Sequence, residues 1–330
     1  MADIAVKGAR VAYEDAARRA RVLSGFRLRD KAFHWLTFSA ALAVLLILGG
    51  VIASLVNGSV PAFRAFGLGF LVTNVWNPVT GHYGALAAVY GTLVTSFIAM
   101  MVAVPIGLGV AIFLTELCPD VLRRPIGTAI ELLAGVPSII YGIWGLFVFA
   151  PFLQQYVQPG LIDIFAKIPI LNALFAGPPY GIGLLTAGLI LAIMVLPFVS
   201  AVSRDVFETV PPLLKEAGYG MGFTTWEVIR YIVIPYTRVG VLGSVMLGLG
   251  RALGETMAVT FVIGNADVIP RSLLAPGTTI SAAIANEFTE AVDELYTSSL
   301  IELGLILFVI TFIVLAISRL MLMRLEKQGG

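Results

Sequence analysis

The sequence predicts an all-α polytopic membrane protein with six transmembrane helices. Three observations carry this. The chain of 330 residues is 58% hydrophobic and only 12% charged, with a mean hydropathy of +0.95, where a soluble domain carries about 25% charged residues. Six apolar runs, at about 36–56, 87–115, 128–150, 181–202, 239–264 and 299–322, each come near the roughly 20 residues a helix needs to cross lipid. The basic residues divide unevenly between the joining segments. With the N-terminus inside, the outer segments hold only Arg64, Lys167 and Arg271, Arg251 lies within a span, and every other Lys and Arg is inside. Such an asymmetry sets orientation, so both termini and the segment around Glu216 are expected in the cytoplasm.

Residues 1–35 are polar and basic, with Lys7, Arg10, Arg18, Arg19, Arg21, Arg27, Arg29 and Lys31. They do not read as a signal peptide, because the apolar run begins late, is long, and is followed by no clean small-residue cleavage site. Residues 18–35 suit a basic amphipathic segment on the membrane surface. Disorder of the first dozen residues is the alternative. The membrane-spanning body is expected over 36–325, with a short cytoplasmic tail at 326–330.

The second run is long enough to tilt, with Pro105 as a kink site. Gly135 and Pro137 interrupt the third run and Pro197 the fourth. Within lipid, backbone groups freed by such breaks need protein or water neighbours. Several breaks point to a lined cavity, with packing kinks as the alternative. Between the runs, 57–85 reads as an ordered irregular loop around Pro61, Trp76, Asn77, Pro78 and Gly81. Residues 151–180 suit a helix lying on the outer face. Residues 265–298 place Glu287, Glu290, Asp293 and Glu294 on a helix, either as a partner-receiving acidic surface or as a solvated face.

Several function classes are excluded. A net charge of +1 gives no footprint for nucleic acid. Cys118, the single cysteine, cannot form an intrachain disulfide, His34 and His82 are isolated, and no metal-ligand cluster is present, so no metal site is expected. No G-x-x-x-x-G-K-[ST] stretch exists, so this chain does not cradle ATP by a P-loop. No internal repeat is visible.

The loop at 203–238 is among the few sizeable polar stretches. Thr209 can cap a helix whose first turn tolerates Pro211 and Pro212. Leu213, Leu214 and Ala217 give that helix an apolar strip, and Gly220 and Gly222 are exit points. Thr224-Thr225-Trp226-Glu227 reads as a capping box opening a second helix, which Pro235 ends or bends. The result is a helix–glycine–helix elbow suited to docking a soluble partner, or else an ordinary interfacial loop.

The fifth run contains Gly250-Arg251-Ala252-Leu253-Gly254-Glu255-Thr256. Arg251 and Glu255 are four apart and share a face if the helix is continuous. Charges within a span almost always face a bundle interior or a wet cavity. An anion path with Arg251 attracting and Glu255 limiting retention is one reading; a structural ion pair is the other. Ser138, beside the Pro137 break, can line a cavity or bond back to its own helix. Glu131 is expected early in the third span, pairing with Arg123, Arg124 or a neighbouring helix end. Asn286 and Glu287 are candidates for an outer gate.

The stretch Glu216-Ala217-Gly218, then Gly222, then Ile232-x-Ile234-Pro235 resembles the EAA loop of ABC-transporter permeases, E-A-A-x3-G-x9-I-x-L-P. Every spacing matches; Gly218 and Ile234 depart conservatively. The phrases ELLAGVPSIIYGIWGLFVFAP (131–151), GRALGETMAVTFVIGN (250–265) and TISAAIANEFTEA (279–291) resemble the phosphate-specific ABC importer permeases of the PstC type. The likeness covers roughly 36–325. It implies a type I ABC importer (MetI-like) fold in the bacterial cytoplasmic membrane and transport of inorganic phosphate. It further implies a PstA-type permease partner, two PstB-type ATPase subunits that hold ATP and Mg, and a PstS-type binding protein. Glu216, Ala217, Gly218, Gly222 and Pro235 carry over as ATPase-coupling residues, and Arg251 and Glu255 as pathway residues. This chain would bind no cofactor and catalyse no hydrolysis itself. Rival readings are a same-fold permease for molybdate or sulfate, a secondary anion transporter, and a membrane scaffold or sensor without transport. The EAA spacing and the lack of an inverted half-repeat argue against the secondary transporter.

Overall fold

The computed structural model describes residues 2–329, with side chains described over 29–168 and 171–324. Most of the basic N-terminal segment and the tail at 326–330 lie outside the described side chains. The chain divides into two units, Met1–Asn57 and Gly58–Gly330. Among the described residues the one extended pairing is a bridge between Asn77 and His82; everything else regular is helical.

Six helical stretches are long and apolar enough to cross a membrane: Arg29–Phe66, Leu86–Leu117, Ser138–Phe165, Leu184–Glu208, Thr225–Leu253 and Glu294–Arg324. The chain is therefore a multi-pass membrane protein with the expected six spans, but several boundaries differ from the sequence reading.

Helix α1, Ala2–Phe66, runs through Pro61 into the stretch expected to be loop. Side chains over 29–57 are largely exposed. Beyond Gly58 the helix packs on the last span, and Ser298 explains how the proline is accommodated. Its hydroxyl donates to the Gly58 carbonyl at 2.7 Å and accepts from the Ala62 amide at 3.0 Å. A serine from a neighbouring helix thus completes a ladder bond beside the residue that cannot donate. A short α2, Gly69–Val72, follows a turn at 67–68, and the longer irregular stretch is confined to 73–85.

Helix α3, Leu86–Ile112, contains Pro105 without a break and continues through a π turn, Phe113–Leu117. Next comes α4, Asp120–Ala134. The third span starts only after Gly135–Pro137. It comprises α5 (Ser138–Trp144), α6 (Ala150–Phe152) and α7 (Gln158–Phe165), joined by π turns at Gly145–Phe149 and Leu153–Val157. Residues 128–134, counted in this span from hydropathy, belong instead to the amphipathic α4. After α8, Pro169–Phe175, the fourth span is α9, Leu184–Glu208, with Pro197 inside it.

Helices α10 (Pro212–Gly220) and α11 (Thr225–Val228) form the elbow. From α11 the chain passes through a π turn, Ile229–Val233, directly into α12, Ile234–Leu253. The fifth span therefore begins at Thr225, not 239, and stops at Leu253, not 264. The wider π turn lets the helix pass Pro235 without ending. A short α13, Met257–Val262, follows the break at Gly254–Thr256. Then come α14, Ile280–Glu287, and α15, Glu294–Gly329.

Helix α9 is the most enclosed of the six spans. Small residues bring its neighbours close, as membrane helices require when lipid supplies no hydrophobic drive for association. A Cβ on Gly188 would meet Ile98 of α3 at 2.6 Å, and one on Gly248 of α12 would meet Val199 at 2.7 Å. Ala99, Ala103, Ala187 and Val195 complete this seam.

Candidate coupling elbow and transport site

The elbow has the predicted construction with one change. Thr209 does not cap α10. It closes α9, its hydroxyl donating to the Val206 carbonyl, and Pro211 takes the cap position. Proline there loses nothing, because first-turn amides have no intrahelical partner. Gly222 adopts φ +87, a left-handed conformation that a side chain would strain. The capping box is complete. The Thr224 hydroxyl accepts from the Glu227 amide at 3.3 Å, and the Glu227 carboxylate accepts from the Thr224 amide at 2.8 Å. Gly218 is buried, and a Cβ there would meet Ile232 at 2.6 Å, so the missing methyl lets α10 close on the π turn. Glu216 and Ala217 are exposed, and Pro235 is exposed beyond the π turn. Exposed Leu213, Tyr219, Met221, Trp226 and Tyr231 give the elbow an unusually apolar open face.

Underneath, Phe207, Val210, Val228 and Val233 join Ala111 of α3 in one apolar cluster. Two charged contacts are found here, of which the first was not anticipated and the second takes up the expected alternative of Glu131 pairing with a neighbouring helix end. Lys215 of α10 donates to Glu116 in the π turn of α3 at 2.6 Å. Arg204 of α9 bonds Glu131 of α4 at 2.7 Å and its neighbour Asp205 at 3.0 Å. Glu131 therefore sits on α4 before the break, not within the third span, and pairs with α9 rather than with Arg123 or Arg124. Arg123 instead donates to the Thr115 carbonyl and lies 3.5 Å from Asp120. Lys215 and Glu116 lie 99 residues apart and Arg204 and Glu131 lie 73 apart, so no local pattern signals these two pairs.

Arg251 stands exposed in the last turn of α12, and that helix ends two residues later. The break overturns the expectation that Arg251 and Glu255 share a helix face. Among the described residues no ion pair joins them. Glu255 turns the other way and accepts from the Ala258 amide at 3.3 Å, capping α13. Arg251 lies within electrostatic range of the Tyr141 hydroxyl on α5. Tyr141 in turn donates to the Leu133 carbonyl at 2.8 Å, across the Gly135–Pro137 break. Ser138 opens α5 one turn from Gly142, where α5 crosses α13; a Cβ on Gly142 would meet Ala258 at 3.1 Å and Phe261 at 2.8 Å. The broken third span thus crosses α13, the short helix after the break that ends the fifth span, with Ser138 and Tyr141 within a turn of Gly142 on α5 and Glu255 capping α13.

At the end away from the elbow, Glu287 of α14 is half-buried and accepts from the Trp76 indole at 2.5 Å and the Tyr296 hydroxyl at 2.7 Å. Tyr83 stacks on Tyr296, with ring centroids 5.3 Å apart. Burial and then the carboxylates of Asp293 and Glu287 raise the Tyr83 phenol above its usual range. Asp267, in the segment after α13, is pushed up to about 6, first by burial and then by Glu287. Asn286 is exposed. Of the anticipated acidic helix, Glu287 ends α14 and Glu294 begins α15, with Glu290 and Asp293 in the turn between.

Residues 103–327 match the family described as "Binding-protein-dependent transport system inner membrane component". The Phosphate transport system permease protein PstC of Mesorhizobium japonicum is 67% identical over 92% of this chain and 93% of its own. The protein of the same name from Pasteurella multocida is 59% identical over 90% and 93%. The chain belongs to this family of transport permeases. The probable PstC of Methanocaldococcus jannaschii remains 37% identical to this permease over 86% and 90% of the two chains. In fold, the permease resembles a chain of a bacterial alginate ABC transporter crystallised with its alginate-bound periplasmic protein. The TM-score is 0.61 at 17% identity, covering 91% of this chain and 98% of that one. A chain of the MetNI methionine ABC transporter gives a TM-score of 0.54 at 16% identity, covering 76% and 99%. The all-α MetI-like importer fold is thereby established.

Proposed function

We propose that this permease forms, with a second permease subunit, the transmembrane pathway of an ATP-driven importer of inorganic phosphate. The observation that carries the coupling half is the elbow: two short helices hinged at Gly222, with an apolar exposed face and an exposed Glu216. Such a surface fits a cleft in a soluble ATPase, and the chain's lack of a phosphate-binding P-loop leaves ATP and Mg to that subunit. Identity of 67% to a phosphate transport permease along nearly the whole chain supports the choice of solute.

The elbow, both termini and the basic N-terminal segment lie in the cytoplasm in this reading, in accord with the distribution of Lys and Arg. The partners would be a PstA-type permease, two PstB-type ATPase subunits and a PstS-type phosphate-binding protein on the outer face. Arg251 would supply the charge that offsets an anion's loss of water, since a guanidinium presents five donors in a fork suited to phosphate oxygens. Ser138 and Glu255 would line the same crossing, and Asn286 and Glu287 would lie at the outer mouth. The test is co-expression with these partners, purification of the assembly, and ATP-dependent uptake of labelled phosphate in vesicles. Failure of the wild-type assembly to import phosphate, with molybdate or sulfate imported instead, would overturn the solute assignment.

A further inference from the structure

Glu116 is the residue that the proposed function does not explain. Its side chain is only 5% exposed at the end of an apolar span, and its one charged partner among the described residues is Lys215, itself 20% exposed, at 2.6 Å. A buried ion pair is weak grounds for stability, because a well-packed apolar pair often does as well or better. What such a pair does supply is a fixed register between two elements. Lys215 lies on α10 and immediately precedes Glu216, while Glu116 lies in a π turn, where the helix ladder already departs from its usual register.

The contacts continue from there. Arg123 of α4 donates to the carbonyl of Thr115, the residue before Glu116. At its other end α4 is held to α9 by Glu131 and Arg204. It then leads into Gly135–Pro137 and α5, whose Tyr141 donates back to the Leu133 carbonyl of α4 and lies within electrostatic range of Arg251. We propose that the Lys215–Glu116 pair is the strut through which movement of the elbow reaches α4 and the broken third span. In this role both are positioning residues and touch neither ATP nor solute. The proposal rests on the coupling reading above and adds the element that carries the displacement inward. Spatial connection alone does not demonstrate coupling, so the test must read coupling directly.

The experiment compares the wild-type assembly in vesicles with two variants at matched amounts of assembled complex. Glu116→Gln/Lys215→Met removes both charges and leaves neither buried alone; Lys215→Arg keeps the pair. The readout is ATP hydrolysed per phosphate imported. The neutral double variant should raise this ratio about fivefold, the low end of typical linkage between sites, while Lys215→Arg should stay near wild type. A strut with a purely structural role would reduce the yield of complex and leave the ratio of the remainder unchanged, and that result overturns the proposal. Equal uncoupling by Lys215→Arg also overturns it, because the ion pair would not then be the operative feature. Should the double variant fail to assemble, Glu116→Gln alone is measured against the same criterion. Absence of import by the wild-type assembly would instead count against the function, so the two failures are distinct.

Discussion

Arg204 and Glu131 meet at 2.7 Å and hold α4 against α9, with Asp205 and Glu208 on the same guanidinium at 3.0 and 3.8 Å. The Arg204 side chain is 19% exposed, whereas its carboxylates are about half exposed or more. Removing the cation leaves three acids together, whereas removing one acid still leaves two carboxylates beside the cation. Arg204→Gln is expected to destabilise the purified permease by about 1.5–3 kcal/mol, the range for a lost charged hydrogen bond. Glu131→Gln should cost under about 1 kcal/mol, as exposed ion pairs do. Thermal unfolding in detergent measures both. Equal losses would mean the cluster is not organised on the arginine.

Asp267 makes stability depend on pH. An aspartate titrates at about 3.9 in an unfolded chain, but here the group is pushed up to about 6 by burial and Glu287. Between those values the folded state holds the additional proton. Stability contributed by this group is therefore present at the acid end and lost as pH rises through the window. Asp267→Asn should raise the thermal midpoint relative to wild type above pH 6 and flatten the slope from pH 4 to 6. An unchanged slope in the variant would assign the dependence elsewhere.

What could be read from sequence alone was what is local. The Thr224–Glu227 capping box is a four-residue pattern with its own mechanism, and Gly222 sits where such an elbow needs a left-handed residue. Both reappear in the structure. The start of the third span did not follow, because Ile130, Leu132 and Leu133 raise hydropathy over 128–134 whether that helix crosses lipid or lies beside α9. The Arg251–Glu255 pairing failed for a related reason: four-residue spacing places two side chains together only in an unbroken helix, and Gly254 closes this one. Lys215 and Glu116 are 99 residues apart, and Trp76 and Glu287 are 211 apart. Tertiary packing alone brings them together.

Orientation is tested by labelling. The proposed topology puts the elbow inside, opposite the segments at 73–85 and 265–279. In a background with Cys118 replaced, cysteines at Asn57, Gln158 and Asp267 are expected to react with an impermeant reagent in sealed cells, except that Gln158, fully buried in the chain, should react slowly. A cysteine at Gly222 should react only after the cells are opened. Labelling of Gly222 from outside would reverse the assignment.

The elbow separates two roles for its glycines. Gly222→Val places a branched side chain at φ +87, where L-residues are strained. Gly218→Val drives a side chain into Ile232 and Val228. Both should lower phosphate uptake, and Gly218→Val should also lower the thermal midpoint because its site is packed. Glu216→Lys, on an exposed residue, should leave the midpoint unchanged while impairing solute-stimulated ATP hydrolysis in the assembled complex. Normal uptake and hydrolysis in Glu216→Lys and Gly222→Val would remove the elbow from the coupling path.

Arg251 is exposed, has no carboxylate partner among the described residues, and stands two residues before the end of the fifth span, within electrostatic range of Tyr141 in the broken third. Its charge is therefore available to a solute rather than spent on a neighbour. Phosphate entering a low-dielectric pathway loses water, and a charged hydrogen bond worth about 1.5–3 kcal/mol offsets part of that cost. Arg251→Gln should accordingly lower uptake about tenfold or more, since each tenfold corresponds to about 1.4 kcal/mol. Arg251→Lys keeps the charge without the fork and should retain intermediate uptake. Glu255 does not bond Arg251 but caps α13, and a glutamine there can still accept from the Ala258 amide. Arg251→Gln/Glu255→Gln is therefore expected to transport no better than Arg251→Gln alone. Uptake is compared at matched levels of assembled complex. Recovery of wild-type flux in the double variant would reveal a compensating pair and deny Arg251 a place on the anion path.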